Sequence, residues 1–319
     1  MAARPGAQDA RGWDRGAIGG RGVSAERTAN DALERRFEPH RAKLFAIAYR
    51  MLGTRADADD LVHECFLRWL TAHASERAER IDNEGAWLST VMVRLCLDHQ
   101  KSARVRREQY VGPWLPEPLP TSDEDDPSEK TALAESVSTA FLLMLESLSP
   151  VERAVLLLHD VFEYEHDEVA AMLDRSVESC RQSLHRARTR LEQRKPRFAP
   201  SKAEHMAVLQ AFLQAISTGD VDGLVATFSA DAQVLSDSDG KATAALKPVF
   251  GPDRCARLLV GLAKKGGADA TLRLCELNGW PAIVLEHEGR VQSTFSIETD
   301  GTRVFTVHIV RNPEKLARL

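Results

Sequence analysis

Between residues 31 and 107, large apolar side chains return every three or four positions: Leu44, Ile47, Ala48 and Met51, then Leu61, Val62, Cys65, Phe66 and Trp69, then Trp87, Leu88, Val91 and Leu95. That spacing puts each set on one helix face, so the stretch predicts a bundle of three or four helices. A second helical stretch covers residues 131–195, and its punctuation is specific. In LSPVERAVLLLHD, Ser149 stands as an N-cap and Pro150 at the first helical position. HDEVAAMLD predicts a short helix, Arg175 and Ser176 a turn, and VESCRQSLHRARTRLEQRK a longer helix capped by Ser176. A short helix, a tight turn and a long basic helix form the helix-turn-helix pattern.

After PRFAP (196–200) the period changes. SKAEHMAVLQAFLQAISTGDVDGLVATF predicts two helices broken at Gly219 and Asp220, and GPDRCARLLVGLAKK a third. Alternation then takes over in DATLRLCELN, PAIVLEHE, GRVQSTFSIET and TRVFTVHIV, with turns at Asn278-Gly279, Glu288-Gly289 and Asp300-Gly301. These segments predict an α+β domain whose helices cover one face of a curved antiparallel sheet.

The joints divide the chain into a disordered tail at 1–30, a helical domain at 31–108, a linker at 109–130, a second helical domain at 131–196 and the α+β domain at 202–315. The linker is not built for reach alone. YVGPWLPEPLP, residues 110–120, carries Tyr110, Val111, Trp114, Leu115 and Leu119 between four prolines, and such a stiff apolar segment should dock on something.

Composition narrows the class. With 43% hydrophobic and 28% charged residues the chain is globular in type, and neither a membrane span nor a signal-peptide h-region is visible, so a cytoplasmic protein without membrane association is expected. Five scattered cysteines with no CxxC pair favour buried thiols over a disulfide framework or a zinc site. A net charge of −5 argues against coating nucleic acid by bulk attraction. Local sign matters more: 101–107 (KSARVRR) and 181–195 are basic, while 123–129 (DEDDPSE) is acidic.

Those charges locate candidate chemistry. The long basic helix presents Arg181, Gln182, His185, Arg186 and Arg188 early, where a helix in the major groove needs bidentate donors, and Arg190 later, where phosphates lie. In RADADDLVHECFLRWL, Asp57, Asp60 and Glu64 share a face that could be a metal site, a solvated surface or a dock for a basic partner; spacing alone favours the solvated surface. The helix NEGAWLSTVMVRLCLDHQKSARVRREQ sets Arg94, Asp98, Lys101, Arg104, Arg106 and Arg107 towards its exposed end, after a polar loop at 72–83 that could hold an unstacked base. In the third domain Asp231, Asp237, Asp239, His287 and His308 are available for acid/base work, but spacing fixes no pair.

RADADDLVHECFLRWL resembles the region 2.2 motif of extracytoplasmic-function sigma factors, usually written DAEDLVQEVFLRL, and AWLSTVMVRLCLD resembles the helix that follows it. LSPVERAVLLLHDVFEYEHDEVAAMLDRSVESCRQSLHRARTRL is similar to their region 4, and YVGPWLPEPL, DGKATAALKPVFG and NGWPA resemble motifs of the subgroup with a fused C-terminal SnoaL-like domain. The resemblance implies a multidomain fold: two all-α sigma domains and an α+β cone. It implies core RNA polymerase as partner, through the β′ clamp at Asp57, Asp60, His63 and Glu64 and through the β flap. It further implies promoter DNA, with the minus-ten element at Trp87, Arg94, Asp98, Lys101, Arg104, Arg106 and Arg107 and the minus-thirty-five element at the second basic helix.

No catalytic residue, metal or cofactor follows from the resemblance, and a small-molecule ligand in the third domain stays open. An intramolecular regulatory contact is expected between Trp114, Pro116, Glu117 and Pro118 and the third domain at Asp239, Gly240, Lys241, Asn278, Gly279 and Pro281. His63 stands where glutamine is usual, Arg94 where asparagine is, and SDSDGK (236–241) is less glycine-rich than the subgroup's loop. The competing reading is a cyclase- or isomerase-like enzyme, or a ligand sensor, fused to a DNA-binding module.

Overall fold

The computed structural model describes residues 20–74, 81–121, 138–193, 200–265 and 270–319, with the backbone alone at 20–29, 102–108 and 265. The chain separates into units Met1–Pro39 and His40–Leu319. Of the first, the described part is the opening of helix α1 (Gly20–Leu52), which thus begins inside the segment expected to be a tail. The residues there are polar helix formers without an apolar stripe, so periodicity gave no signal.

In the second unit α1 continues to Leu52 and is followed by α2 (Arg55–Ala74) and α3 (Glu84–Glu108). Leu44, Ile47, Met51, Cys65, Trp69, Leu88 and Met92 are all buried, and Trp69 packs on Trp87 with ring centroids 5.8 Å apart. The expected bundle therefore holds three helices. Burial pushes the Cys65 thiol up to about 12, and no disulfide forms among the described residues.

The next helices are α4 (Thr139–Glu146), α5 (Pro150–Leu156) with a π turn at Leu157–Val161, α6 (His166–Leu173) and α7 (Val177–Glu192). Ser149 and Glu152 form a full capping box and Pro150 opens α5, while Asp174 in the left-handed conformation ends α6 and Ser176 caps α7. This domain packs on the first. Arg153, buried, donates to Met51 O at 2.6 Å, and Tyr164 donates to Ser89 Oγ at 2.8 Å while accepting from Lys43 Nζ at 2.9 Å.

The last domain comprises α8 (Lys202–Thr218), α9 (Val221–Thr227), β1 (Phe228–Asp237), β2 (Val249–Phe250), α10 (Pro252–Lys265), β3 (Ala270–Leu277), β4 (Trp280–His287), β5 (Arg290–Thr299), β6 (Val304–Val310) and α11 (Pro313–Leu316). The strand order is β2-β1-β6-β5-β4-β3. Asn278-Gly279 and Glu288-Gly289 have positive φ at both positions, the geometry a two-residue hairpin needs.

The sheet is not wholly antiparallel, because β1 pairs with β6 in parallel. The chain leaves β1, crosses through α10 to the far edge and returns by three hairpins, so its last strand runs beside β1 in the same direction. One face of the sheet closes on α8 and α10 around Leu209, Phe212, Leu259, Phe295, Val307 and Ile309. The other face packs Val310 against Leu115 and Leu316.

Candidate functional site

The linker lies in an extended course over that second face. Its alternate amides are each answered: Leu115 N donates to Asp237 Oδ2 at 2.6 Å, Glu117 N to Gly53 O at 2.8 Å, Leu119 N to Asn278 Oδ1 at 3.2 Å and Thr121 N to Glu276 O at 3.0 Å. Asn278 N returns a bond to Leu119 O at 2.7 Å, and Pro120 bridges Leu277, so the linker's end extends the β3 edge of the sheet.

At the centre sits Asp237, fully buried at the end of β1. Its carboxylate accepts from Leu115 N, from Tyr110 Oη at 2.5 Å and from Lys315 Nζ at 2.7 Å. Lys315 is itself 7% exposed, donates also to Leu115 O at 2.5 Å, and lies 4.5 Å from the Trp114 ring centre. The short helix that carries it is capped by Asn312, whose amide also donates to Tyr110 Oη at 2.9 Å. Burial, followed by the bond to Asp237, holds the Tyr110 hydroxyl far above its ordinary range. This buried ion pair is paid back by hydrogen bonds on every side, the condition under which such a pair holds rather than weakens a contact.

The expected contact residues divide among several neighbours. Trp114 lies between Lys315 and the α1–α2 turn, where a Cβ on Gly53 would come 2.5 Å from Trp114 Cη2. The indole is half-buried, and Pro116 and Pro118 beyond it are buried. Glu117 turns away from the third domain: its Oε2 accepts from Arg55 N at 2.9 Å and Ala56 N at 3.5 Å, capping α2. Burial raises its carboxyl and the two backbone donors pull it back. Asp239 accepts from Val111 N at 3.2 Å, Gly240 faces Val111 across 3.6 Å from an added Cβ, and Gly279 N donates to Thr121 Oγ1 at 2.9 Å. Lys241 instead pairs with Asp239 and Glu314, and Pro281 is paired within the sheet opposite Glu276.

On α2, Asp60 and His63 are exposed and Glu64 pairs with Arg68 at 3.1 Å. Asp57 is half-buried, 3.3 Å from His99 Nε2 and bonded to Thr54. Asp59, beside this row, is paired with Arg318 from the chain's end. On α3, Lys101 pairs with Asp98 at 2.8 Å and holds that carboxyl below its usual range. Arg94 is not directed at solvent alone, since its Nε donates to Met172 O at 3.1 Å, on α6. The side chains of Arg104, Arg106 and Arg107, and residues 75–80 of the loop, lie outside the described residues.

On α7 the basic residues split into two groups. Arg181, Gln182 and His185 are exposed, with Gln182 bonded along the helix to Glu178. Arg186 and Arg190 both clamp the buried Glu152, at 3.2 and 2.6 Å, and Arg188 holds Asp160 with two bonds of 3.0 and 2.6 Å.

Family models for Sigma-70 region 2 and Sigma-70, region 4 match residues 36–106 and 138–191. The chain is 38% identical over 234 residues to the ECF RNA polymerase sigma factor SigJ of Mycobacterium tuberculosis, covering 72% of this chain and 73% of the relative. The chain belongs to the ECF RNA polymerase sigma factors. To the probable ECF RNA polymerase sigma factor SigI of the same organism this sigma factor is 31% identical over 290 residues, 90% of this chain and 96% of the relative. The crystal structure of the M. tuberculosis SigJ aligns with a TM-score of 0.70 at 32% identity, over 89% of this chain and 98% of that one. The third domain is thus the α+β cone that the resemblance implies.

The cone also encloses a cavity of about 690 Å³ between α8, α10 and the sheet. None of the residues offered for acid/base work lines it. Asp237 and Asp239 serve the linker, Asp231 bonds Ser229, His287 is half-buried, and His308 lies on the linker-side face 3.3 Å from Glu298, its imidazole pushed towards the neutral form by burial. No cluster of metal-ligating side chains forms among the described residues, and none of their helices is long and apolar enough to cross a membrane.

Sequence reading missed Lys315 and Asn312 altogether. A signal was present, since Asn312-Pro313 is a cap followed by proline at the first helical position.

Proposed function

We propose that this sigma factor directs core RNA polymerase to its promoters under the control of its own third domain, which grips the linker between the two promoter-reading modules. The observation that carries the reading is the buried pair Asp237–Lys315, which holds Leu115 by both its amide and its carbonyl. The row Asp57, Asp60, His63 and Glu64 is the dock for the polymerase β′ clamp, with Asp60 and His63 open to it and Asp57 set deeper. In this reading α3 faces the minus-ten element, and α7 the minus-thirty-five element through Arg181, Gln182 and His185. Arg186, Arg188 and Arg190 hold the reading helix on its scaffold while remaining half-exposed to phosphate. In this reading the third domain acts through its contact with the linker, where Asp237 and Lys315 hold Leu115.

The closed packing of the two modules, through Arg153, Tyr164 and Arg94, supports control by release. The test is run-off transcription with core polymerase and full-length protein. Asp60→Arg should weaken core binding with an unchanged circular-dichroism spectrum, and Lys315→Met should change promoter output at saturating core. Unaltered core affinity in the first would refute the dock, and unaltered output in the second would refute control through the linker.

A further inference from the structure

The cavity in the cone lies on the helix side of the sheet, away from the face that carries the linker. Leu259, Leu262, Leu272, Ile283, Leu285 and Phe295 make it apolar, and its size suits a small organic molecule. Two charged side chains line it, Arg311 and Lys264, both cations, and no carboxylate is among the lining residues. Arg311 follows β6 in the register of Val307 and Ile309, which face this core, so its guanidinium enters from the sheet side. Nη1 donates to Thr243 O at 2.5 Å, whereas Nε is buried without any hydrogen-bond partner. Leaving a charged donor buried and unanswered is costly, and burial accordingly pulls the Arg311 pKa down. Lys264 reaches over the α8–α9 turn, with Cε 4.0 Å from where a Cβ on Gly219 would stand.

We propose that this cavity binds a hydrophobic monocarboxylate, its chain among the leucines and its headgroup on Arg311 and Lys264. An anion supplies the missing acceptor for Nε, and an apolar body displaces water from walls that offer it few partners. A cationic ligand would meet like charge there, while Ser217, Thr218, Thr243 and Ser293 supply only neutral hydroxyls.

The site also has a short path to the linker. Arg311 N donates to Asp237 O at 2.7 Å, so the residue that would hold the headgroup is one backbone bond from the residue that holds Leu115. A headgroup that shifts Arg311 therefore acts on the grip itself, a step that rests on the regulatory reading above.

The experiment uses full-length protein and three probes of equal chain length: decanoate, decan-1-ol and decylammonium, measured by calorimetry and by displacement of a fluorescent anilinonaphthalene sulfonate. Decanoate should bind at least tenfold more tightly than either of the others, in line with a charge-assisted bond to a buried guanidinium nitrogen. Arg311→Met should lower decanoate affinity about tenfold while leaving decan-1-ol unchanged, and Ala263→Trp, which fills the cavity, should abolish both. Equal affinities for the three probes, no binding at millimolar concentration, or decanoate binding untouched by Ala263→Trp would overturn the proposal, and the first two use wild-type protein alone. Binding is read without polymerase or DNA. Decanoate binding in a protein whose output ignores Lys315→Met would uphold the site and overturn only the regulatory reading.

Discussion

Asp237→Ala removes a carboxylate that answers three donors at once: Leu115 N, Tyr110 Oη and Lys315 Nζ. Breaking a buried, hydrogen-bonded ion pair from one side costs about 3–5 kcal/mol, because the remaining charge is stranded. The Leu115 amide, if it stays in place, adds about 1–3 kcal/mol. The linker need not stay, however. Once lifted, Lys315 and Leu115 both regain water, so the measurable loss is bounded by the opening free energy of the linker itself. Taking the lower figure, about 3 kcal/mol, the opening constant should rise by about 100-fold.

Hydrogen exchange resolved to residues 110–121 reads this directly, since Leu115, Glu117, Leu119 and Thr121 are protected by separate acceptors. The Asp237→Leu, Lys315→Met double variant, which replaces both charges by apolar groups, should recover much of the protection. Unchanged Leu115 exchange in Asp237→Ala would refute the reasoning. So would equal loss across β4 and β5, which would mean the domain had unfolded rather than let go.

Gly53→Ala places a methyl 2.5 Å from Trp114 on a backbone with φ of +75°, so it should expel the indole and raise linker exchange without altering α3. Arg181→Ala should lower discrimination among promoter sequences by about 1–3 kcal/mol, read by competition binding, with thermal stability unchanged. Arg186→Ala, by unpinning the buried Glu152, should instead lower the melting temperature and weaken all sequences alike. His205, buried against Trp280, is pushed down to about 4 from 6.5 by desolvation. The unfolded chain then binds the extra proton as pH falls from 6.5 to 4, so the third domain should lose up to about 3 kcal/mol across that window, and His205→Gln should flatten the decline.

Helix starts and hairpin turns were legible because their causes are local. Ser149-Pro150, Ser176, Asn278-Gly279 and Glu288-Gly289 each act within a few residues, and the structure uses each as its chemistry suggests. Strand β1 was not legible. Its buried positions are interrupted by exposed Ala230 and Asp231 and by a register shift after Phe228, so no clean alternation exists to be read. Losing β1 meant losing both its parallel pairing with β6 and the setting of Asp237. That setting depends on Lys315, 78 residues away, and Tyr110, 127 residues away, distances over which no periodic pattern reports. The linker's apolar character announced that it docks, but the direction of each side chain did not follow. Leu115 packs on Val310 and Leu316 of the cone, whereas Glu117, two residues on, reaches α2, a reversal that strand alternation does not produce.

Glu117 gives the linker a part in the folding of a domain it does not belong to. The first two amides of α2 find their acceptor on a residue 61 or 62 positions further on, beyond the whole of α3. A fragment ending at Glu108 would therefore start its second helix with those groups turned to water, and helix fraying would begin at the acidic row that polymerase is expected to grasp. The linker thus joins its neighbours by separate groups, Leu115 and Leu119 to the cone and Glu117 to α2, so that lifting it from the cone would also pull the cap from the helix that carries the acidic row.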